Sequence, residues 1–318
     1  IQSSSATDMM VIGFVNSGLM QLAEAIAVIM GANIGTTITA QITAFDLTAL
    51  APFLLFLGAL FYLFAKKPTL KFGGSIVLGF GMLFVGIGLM KEAIVPLSQS
   101  AGFIVFLTKL ENPALALLFG IAFTALLQSS SSSIVIFQAF AIQGILAYNT
   151  AVYLIIGAAI GSVTPNILAG LTTNRNGKRT ALLNLLFNLF RAAILLILIT
   201  IFPQILELIQ SLSPNDVGRQ VANTHTFFAI FAVLVMLPFS NAIVSLSEKI
   251  IPVLPEETRS KREMQLIYMV EAKNTIPSVV IAQAVKELKR LGKLSRDNLE
   301  ASVECFFAKE DDLIEWTI

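Results

Sequence analysis

QSSSATDMM at Gln2–Met10 and QSSSSSIVI at Gln128–Ile136 open two segments of this chain in the same way, and the fold is read by pairing them. A displacement of 126 residues lays residues 2–45 over 128–171 without a gap and gives twelve identities in 44 positions. Gln2, Ser3, Ser4 and Ser5 fall on Gln128, Ser129, Ser130 and Ser131. Phe14, Gly18, Ala25 and Ile29 fall on Phe140, Gly144, Ala151 and Ile155. Gly31, Ala32, Ile34 and Gly35 fall on Gly157, Ala158, Ile160 and Gly161. The matches fall mainly on Gln, Ser and Gly, not on the Leu and Val that a biased composition aligns by chance. One QSSS is a weak signal. Two copies followed at equal distance by Gly-Ala-x-Ile-Gly are a strong one.

Composition says where such a repeat resides. Of 318 residues 56% are hydrophobic and 13% charged, and a soluble domain carries about 25% charged residues. The charge is also uneven: residues 1–247 hold 17 of the 41 Asp, Glu, Lys and Arg, and residues 248–318 hold the other 24. This describes a membrane transport domain over residues 1–250 and a solvated segment over 256–318. The near-neutral balance, +1 overall, points to no nucleic acid. The single Cys305 excludes a disulfide framework. The sequence begins at the first motif without an initiator Met or a signal-peptide pattern. The apolar run Ala114–Leu127 leads into the second motif and has no counterpart before the first, so a membrane segment is expected upstream.

A helix needs about 20 apolar residues to cross a bilayer. Leu47–Ala65, Gly74–Met90, Ala181–Phe202 and His225–Leu246 meet that length. The motif segments do not. Met9–Met20 and Val135–Leu146 are short, and each leads into a second short piece, Ala25–Met30 or Ala151–Ile156, ending at the Gly-Ala-x-Ile-Gly sequence. Interruptions with Ser and Gly are tolerated at membrane depth where they line a cavity or pack inside protein. The expected fold is therefore an all-α polytopic membrane protein. It has two repeats, about 1–65 and 110–172, containing broken helices or re-entrant hairpins, plus a cytoplasmic helical tail. Inverted repeats would set both breaks at one depth, near the midplane where carriers bind substrate. Lys66, Lys67, Lys71 and Arg175, Lys178, Arg179 mark cytoplasmic loops, and the Pro203–Val221 loop reads as external, which puts the tail in the cytoplasm. In the tail Ile281, Val285, Leu288 and Leu291, then Leu299, Val303 and Phe306, recur at helical spacing and suggest several helices in a small bundle.

Ser and Gln supply hydroxyl and amide groups that donate and accept. A helix start adds unpaired N–H groups and the positive end of its dipole, a ready site for phosphate or sulfate. Two such starts facing each other could surround a tetrahedral oxyanion. No Lys or Arg lies in either motif, and two helix ends amount to about half a charge each. The shortfall calls for bound cations, whose ligands would be hydroxyl and carbonyl oxygens of the same segments. Mutual stabilisation of anion and cation is then the coupling.

These residues resemble the sodium/phosphate cotransporter family, the type II carriers of animals and their bacterial relatives. The resemblance rests on QSSSATDMM with GANIGTT, TALLQSSSSS with GAAIG, and ANTHTFF with LPF. It implies a non-enzymatic carrier in a bacterial inner membrane that couples Na⁺ influx to uptake of inorganic phosphate, with no cofactor beyond the sodium ions. Carried over residue by residue, Gln2, Ser3, Ser4, Ser5, Gln128, Ser129, Ser130 and Ser131 are the substrate candidates. Gln2, Ser5, Asn33, Thr36, Thr37, Gln128, Ser131 and Ser132 are the sodium candidates. The second repeat departs at Ala159, Ser162 and Val163, which leaves fewer side-chain oxygens there. The tail stretch TIPSVVIAQAVKELKRLGKLSRDNLE resembles the start of a PhoU-like helical domain. A homo-oligomer is compatible with all of this.

Blander explanations compete residue by residue. Membrane serines also bond to their own backbone, and Gly31/Gly35 and Gly157/Gly161 also fit small-residue helix packing. His225, the one histidine, reads as structural; Asn184 and Asn188 read as interhelical hydrogen-bonders. Arg191 is either functional or close enough to a loop to snorkel. Asp8 and Glu24 are the acids near the first motif and could hold a cation or proton. A hydrolytic enzyme lacks a His or acid spaced for a triad beside Ser129–Ser133. An ion channel, a membrane-anchored regulator and a carrier of sulfate or arsenate remain as other classes.

Overall fold

Thirteen residues of helix rise about 20 Å, well short of the ~30 Å of a hydrocarbon core. That arithmetic shapes both motif segments in this computed structural model, which describes residues 2–45, 47–252 and 277–307. α1 (Ser4–Asn16) is such a helix, and it turns back into α2 (Leu22–Gly35), followed by α3 (Thr37–Ala44). A 3₁₀ turn (Thr48–Leu50) leads to α4 (Ala51–Phe64) and the long α5 (Pro68–Ser98). α6 (Ala101–Lys109) and α7 (Pro113–Leu127) form a pair bent by 113°. The pattern then recurs: α8 (Ser130–Ile142), α9 (Tyr148–Gly161) and α10 (Thr164–Leu171). Their first residues each lie 126 or 127 positions beyond those of α1, α2 and α3. α11 (Arg175–Ile201), α12 (Gln204–Ser211), α13 (Val217–Met236), a 3₁₀ turn (Leu237–Phe239) and α14 (Ser240–Ile250) complete the unit spanning residues 1–251.

The turn that closes each hairpin explains two of the repeated residues. α1 ends with Gly18 at φ +74° and α8 with Gly144 at φ +71°. Gly18 N donates to Val15 O at 3.1 Å and Leu19 N to Phe14 O at 2.8 Å. Gly144 N donates to Ala141 O and Ile145 N to Phe140 O, both at 3.0 Å. This is the Schellman closure, which needs a left-handed residue just past the helix end. Glycine takes that conformation without the Cβ penalty.

The two repeats cross. α3 packs on α8 and α13, whereas α10 packs on α1 and α11. Their interior is apolar: Phe137, Ile134, Leu154 and Ile155 on one side, Ile26, Ile29, Leu183 and Phe187 on the other. Among the described residues five helices are long and apolar enough to cross a membrane, or six if the α6–α7 pair counts as one span. No strand occurs among the described residues.

Three expectations change. The chain stays helical through Gly31–Gly35 and Gly157–Gly161; the interruption follows one residue later, between α2 and α3 and between α9 and α10. The second pair of glycines serves contact instead: a Cβ on Gly157 would strike Leu117 O of α7, and one on Gly161 would strike Ile121 O. Leu47–Ala65, taken as a span, resolves into a 3₁₀ turn and a 14-residue helix. In the second unit both apolar stripes of the tail lie on one 31-residue helix, α15 (Pro277–Phe307), because Gly292 does not interrupt it. Ile281, Val285, Leu288 and Leu291 are exposed along it. Residues 253–276 and 308–318, where further bundle helices were expected, lie outside the described residues.

Candidate functional site

Each motif spends its residues in the same order. Gln2 and Gln128 sit in left-handed backbone, at φ +60° and +56°. Next, Ser3 and Ser129 return to extended backbone and cap the helices. Ser3 Oγ accepts from Ala6 N at 3.2 Å, and Ser129 Oγ accepts from Ser132 N at 3.3 Å. These two hydroxyls thus satisfy helix-start donors. The third residues, Ser4 and Ser130, begin the helices and turn inward, half-buried.

A non-glycine residue in left-handed backbone costs about 1–2 kcal/mol, and the chain holds glutamine there twice. Gln2 Oε1 accepts from Thr39 Oγ1 at 2.8 Å, which ties the first motif to α3. The residue 126 positions after Thr39 is Pro165, which has no hydroxyl, and Gln128 stays exposed. Replacing Gln128 by Gly is expected to raise unfolding stability by about 1 kcal/mol while lowering transport; denaturation and uptake measured on one preparation check it.

A small cavity lies where the two motif helices meet. It is lined by Ser4, Asn33 and Thr36 from the first repeat and by Ser130, Ile134, Ile155, Ala159 and Ser162 from the second. Three of these are pairs at the same 126-residue displacement: Ser4 with Ser130, Asn33 with Ala159, and Thr36 with Ser162. Arg191 of α11 and His225 of α13 complete the wall. The free space is about 10 Å³, enough for one water. A tetrahedral oxyanion would need the walls to separate by a small movement.

Of the predicted residues, Ser4, Ser130, Asn33 and Thr36 line this cavity; Gln2, Ser3, Ser5, Thr37, Gln128, Ser129, Ser131 and Ser132 do not. Several hydroxyls are engaged locally. Thr36 Oγ1 donates to Ala32 O and Thr37 Oγ1 to Ile34 O, each at 2.8 Å, and Ser132 Oγ is 2.9 Å from Ser129 Oγ. No group of three or more His, Cys, Asp and Glu that could hold a metal occurs among the described residues. Hydroxyl, amide and carbonyl oxygens are the cation ligands this region offers.

The charged member of the cavity is the residue that sequence reasoning left open. Arg191 is 3% exposed, so it does not snorkel. Its Nη1 donates to Asn33 Oδ1 at 2.7 Å, and its Nε has no partner. Among the described residues no carboxylate forms an ion pair with it. His225 is 4% exposed and its Nδ1 likewise has no partner. A buried, unpaired guanidinium is costly and asks for an anion. With two helix starts of about +0.5 each and the arginine's +1, the wall offers about +2. One signal could have found it: Asn184, Asn188 and Arg191 form a polar stripe at i, i+4, i+7 on an otherwise apolar helix.

Paired hairpins crossing at a cavity lined by hydroxyls and one arginine define a helical membrane protein whose centre suits an oxyanion. The chain belongs to the Na⁺/Pi-cotransporter family, whose model matches residues 1–92 and 99–237. It is similar to the Escherichia coli K12 protein named "Putative inorganic phosphate export protein YjbB", 31% identical over 301 residues. That match covers 94% of this chain and 54% of the relative, so the chain spans about half the length of that protein. The Salmonella typhimurium protein of the same name is 29% identical over the same coverage. Bacillus subtilis YqeW is 31% identical over 253 residues, covering 79% of this chain and 81% of that protein. No solved structure matches.

Proposed function

We propose that this chain carries inorganic phosphate across a cell membrane in symport with Na⁺. Phosphate would bind between the two motif helices, at Ser4, Ser130 and the free edge of Arg191. The single observation that carries this reading is the cavity wall: residue pairs related by one sequence displacement, closed by a buried arginine that no carboxylate among the described residues pairs. The printed name of YjbB supports phosphate as the substrate. Ser5, Ser131, Gln2 and Gln128 at the helix starts would gate the approach, with Asn33, Thr36, Thr37 and Ser132 offering oxygens to sodium. Inverted repeats would place the two hairpins on opposite sides of the midplane. The tail, residues 256–318, would lie in the cytoplasm of a bacterial inner membrane.

Direction follows from the gradients, since a coupled carrier runs whichever way their sum dictates. An inward Na⁺ gradient drives uptake, and that is the direction proposed. The relative named as an export protein favours a second reading, in which the same carrier runs outward under phosphate excess.

The test is ³²P-phosphate flux in proteoliposomes under Na⁺, K⁺ or H⁺ gradients, with phosphate preloaded on either side. Flux is expected to follow the Na⁺ gradient and to fall at least tenfold, or ~1.4 kcal/mol, in Gln2→Ala and Gln128→Ala. Flux indifferent to Na⁺ would remove the coupling. Wild-type flux in both variants would remove Gln2 and Gln128 from the transport path.

A further inference from the structure

The anion cavity has its own cation in Arg191, but a second buried charge has none. Asp8 of α1 is 4% exposed. Its Oδ2 accepts from Asn166 Nδ2 of α10 at 2.9 Å and from Asn184 Nδ2 of α11. Asn188 Nδ2 donates to Asn184 Oδ1 at 2.7 Å and continues the chain toward Arg191. No Lys, Arg or His pairs with Asp8 among the described residues. Three oxygens of this chain have no hydrogen-bond partner: Asp8 Oδ1, Asn166 Oδ1 and Asn188 Oδ1. Asn166 and Asn188 are each 1% exposed. A buried carboxylate with unfilled oxygens beside it is costly, unless something positive sits there.

The fold does not require this charge. Displacing Asp8 and Asn166 by the repeat distance gives Ile134 and Ala40, the corresponding residues where α8 packs on α3. There Ile134 and Ala40, each 2% exposed, stand in place of the acid and the amide, and the polar contact of that crossing is a neutral one: Gln138 Oε1 accepts from Thr43 Oγ1 at 2.7 Å and its Nε2 donates to Ala40 O. At these two positions one crossing carries Ile and Ala and the other Asp and Asn, so a carboxylate is buried in one of them and a neutral amide in the other. A crossing of this kind therefore closes with a neutral hydrogen bond and does not need a carboxylate.

We propose that Asp8 and Asn166, backed by Asn184 and Asn188, form a further binding site for Na⁺, separate from the phosphate cavity and from the oxygens of Asn33, Thr36, Thr37 and Ser132. One carboxylate and neutral amide oxygens suit a hard monovalent cation, whereas a divalent ion calls for several carboxylates. Half a turn of the Asn166 amide exchanges its Nδ2 for Oδ1 and completes the oxygen set; the two orientations are nearly isosteric. The site connects to phosphate along two helices. Asp8 lies one turn after Ser4 on α1, and Asn184, Asn188 and Arg191 share one face of α11. A cation joining α1 to α10 and α11 therefore holds Ser4 and Arg191 in place. This inference rests on the carrier reading for its purpose, though not for its chemistry.

Direct ²²Na⁺ binding to the purified full chain tests it, with thermal melting as the check on folding. Asp8→Asn is expected to weaken Na⁺ binding at least tenfold. The double variant Asp8→Ile with Asn166→Ala copies the residues, Ile134 and Ala40, that stand at the matching positions of the other repeat. It is expected to melt no lower than wild type and to lose the same Na⁺. Glu24→Gln, an exposed carboxylate beside the first hairpin, should bind Na⁺ as wild type does. Wild-type Na⁺ affinity in either Asp8 variant would overturn the proposal, and so would absence of Na⁺ binding to the unmodified chain. If phosphate flux proved independent of Na⁺ while Asp8→Asn still lost ²²Na⁺, the carrier reading would fail and the cation site would stand.

Discussion

Arg191→Met is expected to abolish phosphate uptake while leaving the protein at least as stable as wild type. The guanidinium is buried beside the motif helices with one N–H group unpartnered and no carboxylate paired to it. In the empty protein its desolvation is unrelieved, and an apolar side chain of similar length removes that cost. With phosphate bound as proposed, the same group would donate charge-assisted hydrogen bonds, worth about 1.5–3 kcal/mol each. Two such bonds lost amount to roughly a hundredfold or more in affinity. Arg191→Lys keeps the charge but not the planar fork, and an intermediate loss follows. Phosphate binding and thermal melting, measured side by side, separate the outcomes. Wild-type affinity in Arg191→Met would take the arginine out of the site.

The second large effect contrasts two glycines that occupy the same place in the repeat. Gly157→Ala drives a methyl group into Leu117 O, so α7 and α9 must part. Overpacking of this kind costs about 1–3 kcal/mol. Function suffers as well, since α9 carries Ile155, Ala159 and Ser162 of the cavity and α7 leads into Gln128. Gly31, its counterpart, has no atom within 4 Å of where a Cβ would stand. Gly31→Ala is therefore expected to be neutral or to stabilise by about 0.5–1 kcal/mol through helix propensity. Melting curves in detergent decide it. Equal losses at both positions would mean that helix packing is not what distinguishes them.

The repeat frame was legible because turn and cap chemistry writes itself into local sequence. Ser3 and Ser129 cap, Gly18 and Gly144 take left-handed backbone, and the same spacing gives the same hairpin. The Gly-Ala-x-Ile-Gly segments were harder. Glycine at helical spacing marks either a break or a close contact, and only the position of α7 decides between them. Arg191 and His225 lay furthest from view. Nothing in either motif announces which later helix will complete the wall, and Arg191 is joined to Asn33 across 158 residues. Neither motif holds a Lys or Arg, whereas the cavity that Ser4 and Ser130 line is closed by Arg191 from a later helix. Conversely, the carboxylate that lacks a counter-charge, Asp8, was visible in the sequence but not its isolation.

The crossing of the two repeats also bears on how the molecule is made. Asp8 of α1 is made well before its polar partners Asn166 and Asn184, which follow 158 and 176 residues later. The hairpin bearing Asp8 must then wait, its carboxylate unburied or watered, until α10 and α11 have been inserted. Long-range pairing of this kind slows assembly. It also means that neither repeat alone closes the cavity, whose wall takes Ser4, Asn33 and Thr36 from the first and Ser130, Ala159 and Ser162 from the second. The contact that joins α1 to the second repeat is complete only once α10 and α11 stand beside it.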